Sequence, residues 1–135
     1  MFGFFVSKEQ RLSDAAEEGQ LSEVMKYINE VNIDYKDKEG NTPLMKASMN
    51  GQRAIVDILL SHQANINIQN KYGETAFMLS CGWEQIDIAV SLIEAGCDYS
   101  LRTIKANHSG IDFLRNVDHL HKVKVTFNLL LFFSR

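Results

Sequence analysis

The densest cluster of chemically capable side chains is Asp118, His119 and His121, three groups within four positions. A carboxylate and two imidazoles could hold a zinc ion or relay a proton. Their spacing argues otherwise: histidines at i and i+2 diverge on a helix, where neighbours lie three and four residues apart. A polar turn entering a last helix is the favoured reading. His62 and His108 are isolated and suit a surface or a turn. Cys81 and Cys97, the only two cysteines, form no C-x-x-C pattern. They read as small buried thiols in a reducing compartment, neither nucleophiles nor a disulfide framework. The triplet Asn107-His108-Ser109 fits the glycosylation acceptor pattern, but no secretory signal gives it that context, so it is read as accidental. The eight glycines are dispersed, and none opens a G-x-G-x-x-G or G-x-x-x-x-G-K phosphate loop. Catalysis needs complementary groups converging in a pocket. These scattered candidates predict no enzyme, no metal and no cofactor.

The scaffold that would position any site is a chain of 135 residues and 15.3 kDa, the length of one ordinary domain. An apolar fraction of 45% with 23% charged residues is that of a globular protein with a real core. Eight glycines and a single proline are too few for an all-β chain needing frequent turns, so helices are the expected material. Fourteen basic against seventeen acidic residues leave a net charge of −3, without the basic footprint that nucleic acid requires. Residues 1–6 are apolar but lack the basic n-region and full-length apolar stretch of a signal peptide. The longest apolar run, 129–133, is far below the roughly 20 residues that cross a bilayer. A cytoplasmic protein away from membranes is expected.

An internal repeat organises the chain. Gly40-Asn-Thr42-Pro43-Leu44-Met45 recurs as Gly73-Glu-Thr75-Ala76-Phe77-Met78, and aligning 37–69 with 70–102 gives seven identities in 33 positions, against roughly two by chance. Gly40 and Gly73 suit a tight turn with positive φ. Thr42 and Thr75 are natural N-caps, and Pro43 fits the first helical position, where a missing N–H costs nothing. The small pairs Ala47-Ser48 and Ser80-Cys81 allow close approach of a neighbour. A second helix follows in each copy, with apolar stripes Ile55, Val56, Ile58, Leu59, Leu60 and Ile88, Ala89, Val90, Leu92, Ile93. Such stripes are too wide for one helix pair to bury, and stacking of repeats is the remedy.

Gly-x-Thr-Pro-Leu, the small pair, Ile-Val-x-x-Leu-Leu and Ala64-Asn65-Ile66-Asn67, at a period of 33, resemble the ankyrin repeat. A looser copy precedes, with Ala15-Ala16, Gly19-Gln20-Leu21 and Val31-Asn-Ile-Asp34, opened by a Ser7/Gln10 capping box. Another follows, with Ser109-Gly110-Ile111-Asp112-Phe113-Leu114 and Asn107 in the place of the turn glycine once one residue is inserted after Arg102. The expected fold is therefore an all-α, ankyrin-type solenoid of about four helix-turn-helix units with degenerate terminal caps. Its divisions are 7–36, 37–69, 70–102 and 103–135, within one domain spanning 1–135. Helices are expected at 8–18 and 22–29, 43–49 and 54–61, 76–81 and 86–94, 109–116 and 120–131. Met45 and Met78 replace the family's usual His, and Gln63 and Glu84 replace Gly, so strained or reshaped loops are expected at the last two.

The resemblance implies a non-catalytic module that binds a partner protein or peptide through turn tips and first helices, the concave face of the family. Carried onto this chain, that surface is Lys38, Glu39, Asn41, Met49 and Asn50 in one repeat, and Lys71, Tyr72, Glu74, Gly82 and Trp83 in the next. Met49, Tyr72 and Trp83 are the expected anchors, since aromatic residues are enriched among interface hot spots. Lys38, Lys71 and Lys105 fall at near-equivalent tip positions and form a row of cations that favours a partner with acidic character. The alternative is a structural subunit or homo-oligomer assembled through Leu129, Leu130, Leu131, Phe132 and Phe133. An effector that targets host proteins would use the same fold.

Overall fold

The computed structural model describes residues 5–110 and 112. Among them six helices run in order: α1 (Lys8–Glu18), α2 (Leu21–Tyr27), α3 (Pro43–Met49), α4 (Arg53–Ser61), α5 (Ala76–Gly82) and α6 (Ile86–Glu94). No strand is formed by the described residues, and an isolated antiparallel bridge joins Arg102 to Ser109. The expected all-α pairing is observed for the first three units. In the fourth, residues 110 and 112 are helical, and the Ser109 amide and hydroxyl both donate to Asp112 Oδ2, at 2.8 and 2.9 Å. The remainder of the expected helices 109–116 and 120–131 lies outside the described residues.

Each first helix starts where its cap dictates. Ser7, Thr42 and Thr75 are extended, and their hydroxyls accept the amides of Gln10, Met45 and Met78 at 3.1, 3.3 and 3.3 Å. The capping box at Ser7 is only half formed. Gln10 spends its side chain elsewhere, donating to Asp14 Oδ1 at 2.7 Å and accepting from Tyr35 Oη at 3.2 Å, so the Ser7 amide lacks the reciprocal bond. The second helices start without a side-chain cap at Gln20, Gln52 and Gln85. Two of these glutamines instead bind the preceding unit: Gln52 Nε2 donates to the Glu17 carbonyl at 3.2 Å, and Gln85 Nε2 to the Met49 carbonyl at 3.5 Å.

Stacking produces two rows. The first helices α1, α3 and α5 pack side by side, and the second helices pack behind them, with α4 against both α2 and α6. Between the rows lies one continuous core that includes Leu12, Val24, Leu44, Met45, Val56, Leu59, Phe77 and Leu92, all fully buried, and Met78 is buried as well. Met45 and Met78 thus take the place of a polar residue with a flexible apolar one, which suits an irregular gap between helices. Phe77 extends the core toward Gly110, where a Cβ would lie 2.7 Å from its ring. Only a residue without one fits there.

Side chains in the loops repeat the stacking in polar form. Asp34 Oδ1 accepts the Asn65 amide at 2.9 Å, and Asn67 Oδ1 accepts the Asp98 amide at 2.7 Å, so each loop satisfies a backbone donor of the next. Lys36 Nζ and Gln69 Nε2, one repeat apart, donate to the carbonyls of Gln69 and Arg102 at 3.2 and 2.9 Å. Gln63 and Glu84 hold φ of +64° and +58°, the strained loops expected at those positions, and Asn107 holds +53° in the place of a turn glycine.

Candidate functional site

The candidate surface begins at the tips that join one unit to the next. Residues 37–41 form a five-residue turn in which the Asp37 amide donates to the Asn41 carbonyl at 3.0 Å and Asp37 Oδ1 accepts the amides of Glu39 and Asn41, both at 2.9 Å. Residues 70–74 repeat it, with Asn70 Oδ1 accepting the amides of Tyr72 and Glu74 at 3.0 and 2.9 Å. A short polar side chain bonded to amides two and four residues on fixes the turn. Gly40 and Gly73 sit in these tips at φ +79°. A Cβ on Gly40 would meet the Lys71 amide nitrogen at 2.9 Å, so the glycine permits both the turn and the close approach of the next tip.

Neighbouring tips are joined by their backbones. The Lys71 amide donates to the Glu39 carbonyl at 3.0 Å, and the Ile104 amide to the Tyr72 carbonyl at 2.8 Å. Side chains reinforce the first junction: Lys71 pairs with Glu39, Tyr72 Oη donates to Glu39 Oε2 at 2.8 Å, and Lys71 Nζ lies 5.1 Å from the centre of the Tyr72 ring. The Lys71 ammonium, followed by the Tyr72 hydroxyl, holds the Glu39 carboxyl below the usual carboxylate range. The third tip, 103–108, is one residue longer. It closes through the Thr103 amide on the His108 carbonyl at 2.8 Å and the His108 amide on Thr103 Oγ1 at 3.0 Å. The inserted residue expected after Arg102 therefore sits in the tip.

The residues expected at the site divide into two groups. Lys38, Asn50, Lys71, Tyr72, Gly82 and Trp83 are exposed, Trp83 at 62% and Tyr72 at 46%. Glu39, Asn41, Met49 and Glu74 are half-buried. Asn41 and Glu74 act within the scaffold, both accepting from Asn70 Nδ2, at 2.9 and 3.0 Å. Met49 packs on the edge of the core, and Asn50 Nδ2 caps its own helix through the Lys46 carbonyl at 2.8 Å.

Lys46 was not singled out by the sequence pattern, yet it organises the first-helix row. From α3 its Nζ reaches Glu17 Oε2 of α1 at 2.8 Å and Asp37 Oδ2 of the tip at 3.4 Å, with only 13% of the side chain exposed. Burial depresses its pKa, but the two carboxylates outweigh burial and leave it raised. A signal was present in the alignment, where Lys46 stands opposite Leu79: a charge where the other copy is apolar calls for a partner.

Both cysteines are buried, and burial first of all pushes each thiol up to about 12. Among the described residues no three His, Cys, Asp or Glu side chains converge as a metal site, and no helix is long and apolar enough to cross a membrane. Asp118, His119 and His121 lie outside the described residues, as does 129–133.

With helix pairs, capped tips and inter-tip bonds in place, comparison with known proteins is decisive. Residues 12–103 match the family model for ankyrin repeats in three copies. The chain belongs to the ankyrin repeat family. It is similar to the ankyrin repeat protein YahD of Escherichia coli (strain K12), 36% identical over 92 residues that cover 63% of this chain and 46% of YahD. It is 28% identical over 127 residues to the E3 ubiquitin-protein ligase XBAT33 of Arabidopsis thaliana, covering 92% of this chain and 25% of the ligase. Ankyrin repeat family A protein 2 of Homo sapiens is 37% identical over 67 residues, 49% of this chain and 21% of that protein. The chain thus spans less than half the length of these ankyrin relatives. Ankyrin repeats generally mediate protein–protein interaction.

Proposed function

We propose that the chain is a non-catalytic cytoplasmic module that binds a partner protein or peptide through its tips and first-helix row. Four units, 7–36, 37–69, 70–102 and 103–135, make up the domain in this reading. The observation that carries it is the exposure of Trp83 and Tyr72 in one repeat, at the end of α5 and on the tip before it. An indole is costly to leave in water, and the core has no claim on this one. Lys38, Lys71 and Asn50 supply polar contacts around these anchors, while Glu39, Asn41, Glu74 and Met49 shape the surface from below. The interlocked tips resist deformation, so little conformational entropy is lost on binding.

The test compares wild type with the Tyr72→Ala/Trp83→Ala variant in a pull-down from cytosolic extract, followed by affinity measurement on the protein identified. Each anchor is expected to contribute about 2 kcal/mol, roughly thirtyfold in Kd. Urea unfolding should show the fold unchanged to within about 0.5 kcal/mol for Trp83→Ala, as for an exposed residue. A partner held equally well by both proteins would remove these residues from the site.

A further inference from the structure

The second tip and the longer third tip enclose a hollow between them. Tyr72, Glu74, Thr103, Lys105, Ala106 and His108 line a cavity of about 230 Å³, open to solvent on one side and walled mainly by carbon. Its volume suits one medium-sized apolar side chain. The Ile104 amide bonds to the Tyr72 carbonyl and fixes one wall against the other. Ile104 itself stands 69% exposed beside it.

Two of the three tip acids are neutralised: Asp37 by Lys46, with two amides, and Glu39 by Lys71, with the Tyr72 hydroxyl. Glu74, on the wall of the hollow, keeps its charge, since Asn70 offers it a neutral amide. Lys38 and Lys105 are exposed and have no ion-pair partner among the described residues. Cations left unpaired along a tip row attract a chain of opposite sign and set its register.

We infer that the hollow at the third tip receives one apolar side chain of an extended acidic peptide, whose flanking carboxylates pair with Lys105 and Lys38. This rests on the reading that tips and first helices bind protein, and adds where the partner is anchored and what it carries. Ala106 is the point to block, because its small exposed side chain leaves room that an arginine would fill. Lys105 and Lys38 are the points to reverse.

A randomised peptide library displayed on phage is selected against the full chain, and the enriched peptides are synthesised and titrated. The expected consensus is a Leu, Ile, Met or Phe flanked by Asp or Glu. Its binding should weaken at least tenfold with Ala106→Arg and about tenfold with Lys38→Glu/Lys105→Glu, and it should fall with added salt. Circular dichroism confirms that each exposed-site variant remains folded. Peptides without acidic residues, or acidic peptides indifferent to Ala106→Arg, overturn the inference, as does failure to enrich any peptide. Peptides lost with Trp83→Ala but indifferent to Ala106→Arg would leave the broader binding function standing while this anchor falls.

Discussion

Helices α3 and α5 are the same seven-residue element built twice, and they meet their surroundings in opposite ways. Both start from a Thr cap, and both bury a Met as their third residue. On the outward side the copies part. Lys46 closes the surface of α3 with ion pairs to α1 and the first tip, and Asn50 folds back onto its own helix. The equivalent positions of α5 are Leu79 and Trp83, the latter left open. One repeat spends its surface on its neighbours, and the next leaves Trp83 exposed. Position along a solenoid therefore carries information that the repeat pattern does not.

If the two copies share one core, equal damage to it must cost the same. Leu59 of α4 and Leu92 of α6 occupy matching sites and are both fully buried. Leu59→Ala and Leu92→Ala should each destabilise the chain by about 2 to 5 kcal/mol in urea unfolding. A loss under 1 kcal/mol in either would mean that one repeat relaxes where the other cannot, and the equivalence would break.

The matched positions 46 and 79, a paired lysine and a buried leucine, should separate the copies more sharply. Lys46→Met leaves Glu17 and Asp37 without their cation, at a cost of about 1 to 3 kcal/mol. Leu79→Met exchanges one apolar side chain for another and should cost less than about 1.5 kcal/mol. A pH series sharpens this. The folded Lys46 holds its proton more tightly than the ordinary 10.5, so its contribution is intact below that value and disappears as pH rises through the folded pKa. The advantage of wild type over Lys46→Met should therefore stay level through neutral pH on this account and shrink only above pH 10.5. An advantage that shrinks between pH 7 and 9 would assign the stabilisation to some other group.

Helix positions and the repeat period were legible because caps, breaks and apolar stripes act locally and recur. Thr42, Pro43 and the Ile55 to Leu60 stripe each state their role without reference to the rest of the chain. The Lys46 pairing was not legible, since its partners lie 29 residues before it and 9 before it, and proximity is created only by stacking. The same is true of Gln52 and Gln85, which look like ordinary helix starts but bind the carbonyls of the preceding unit. Exposure of Trp83 and Tyr72 followed from repeat register. The half-burial of Met49 did not, because a flexible side chain can lie back on the core edge. The hollow at the third tip needed both the inserted residue and its closing bonds, and spacing revealed only the insertion.

The smallest effect comes from a crossed pair of loop residues. The first full repeat has Gly51 at its break and Gln63 at its end, whereas the second has Glu84 at its break and Gly96 at its end. All four are left-handed, with φ of +73°, +64°, +58° and +84°. A residue with a Cβ costs about 1 to 2 kcal/mol in this region, and glycine offsets part of that by losing about 0.5 to 1 kcal/mol more chain entropy on folding. Gln63→Gly and Glu84→Gly should each stabilise the chain by about 0.5 to 1 kcal/mol. Gly96→Ala isolates the backbone contribution, because a Cβ there would meet nothing within 4 Å, and it should destabilise by a similar amount. Thermal unfolding of the three variants against wild type decides it. Opposite signs with matched magnitudes mean that the two loops bear one backbone cost, placed differently by chance of sequence. A loss on Glu84→Gly would instead show that the Glu84 side chain, next to Trp83, makes a contribution larger than the strain it imposes.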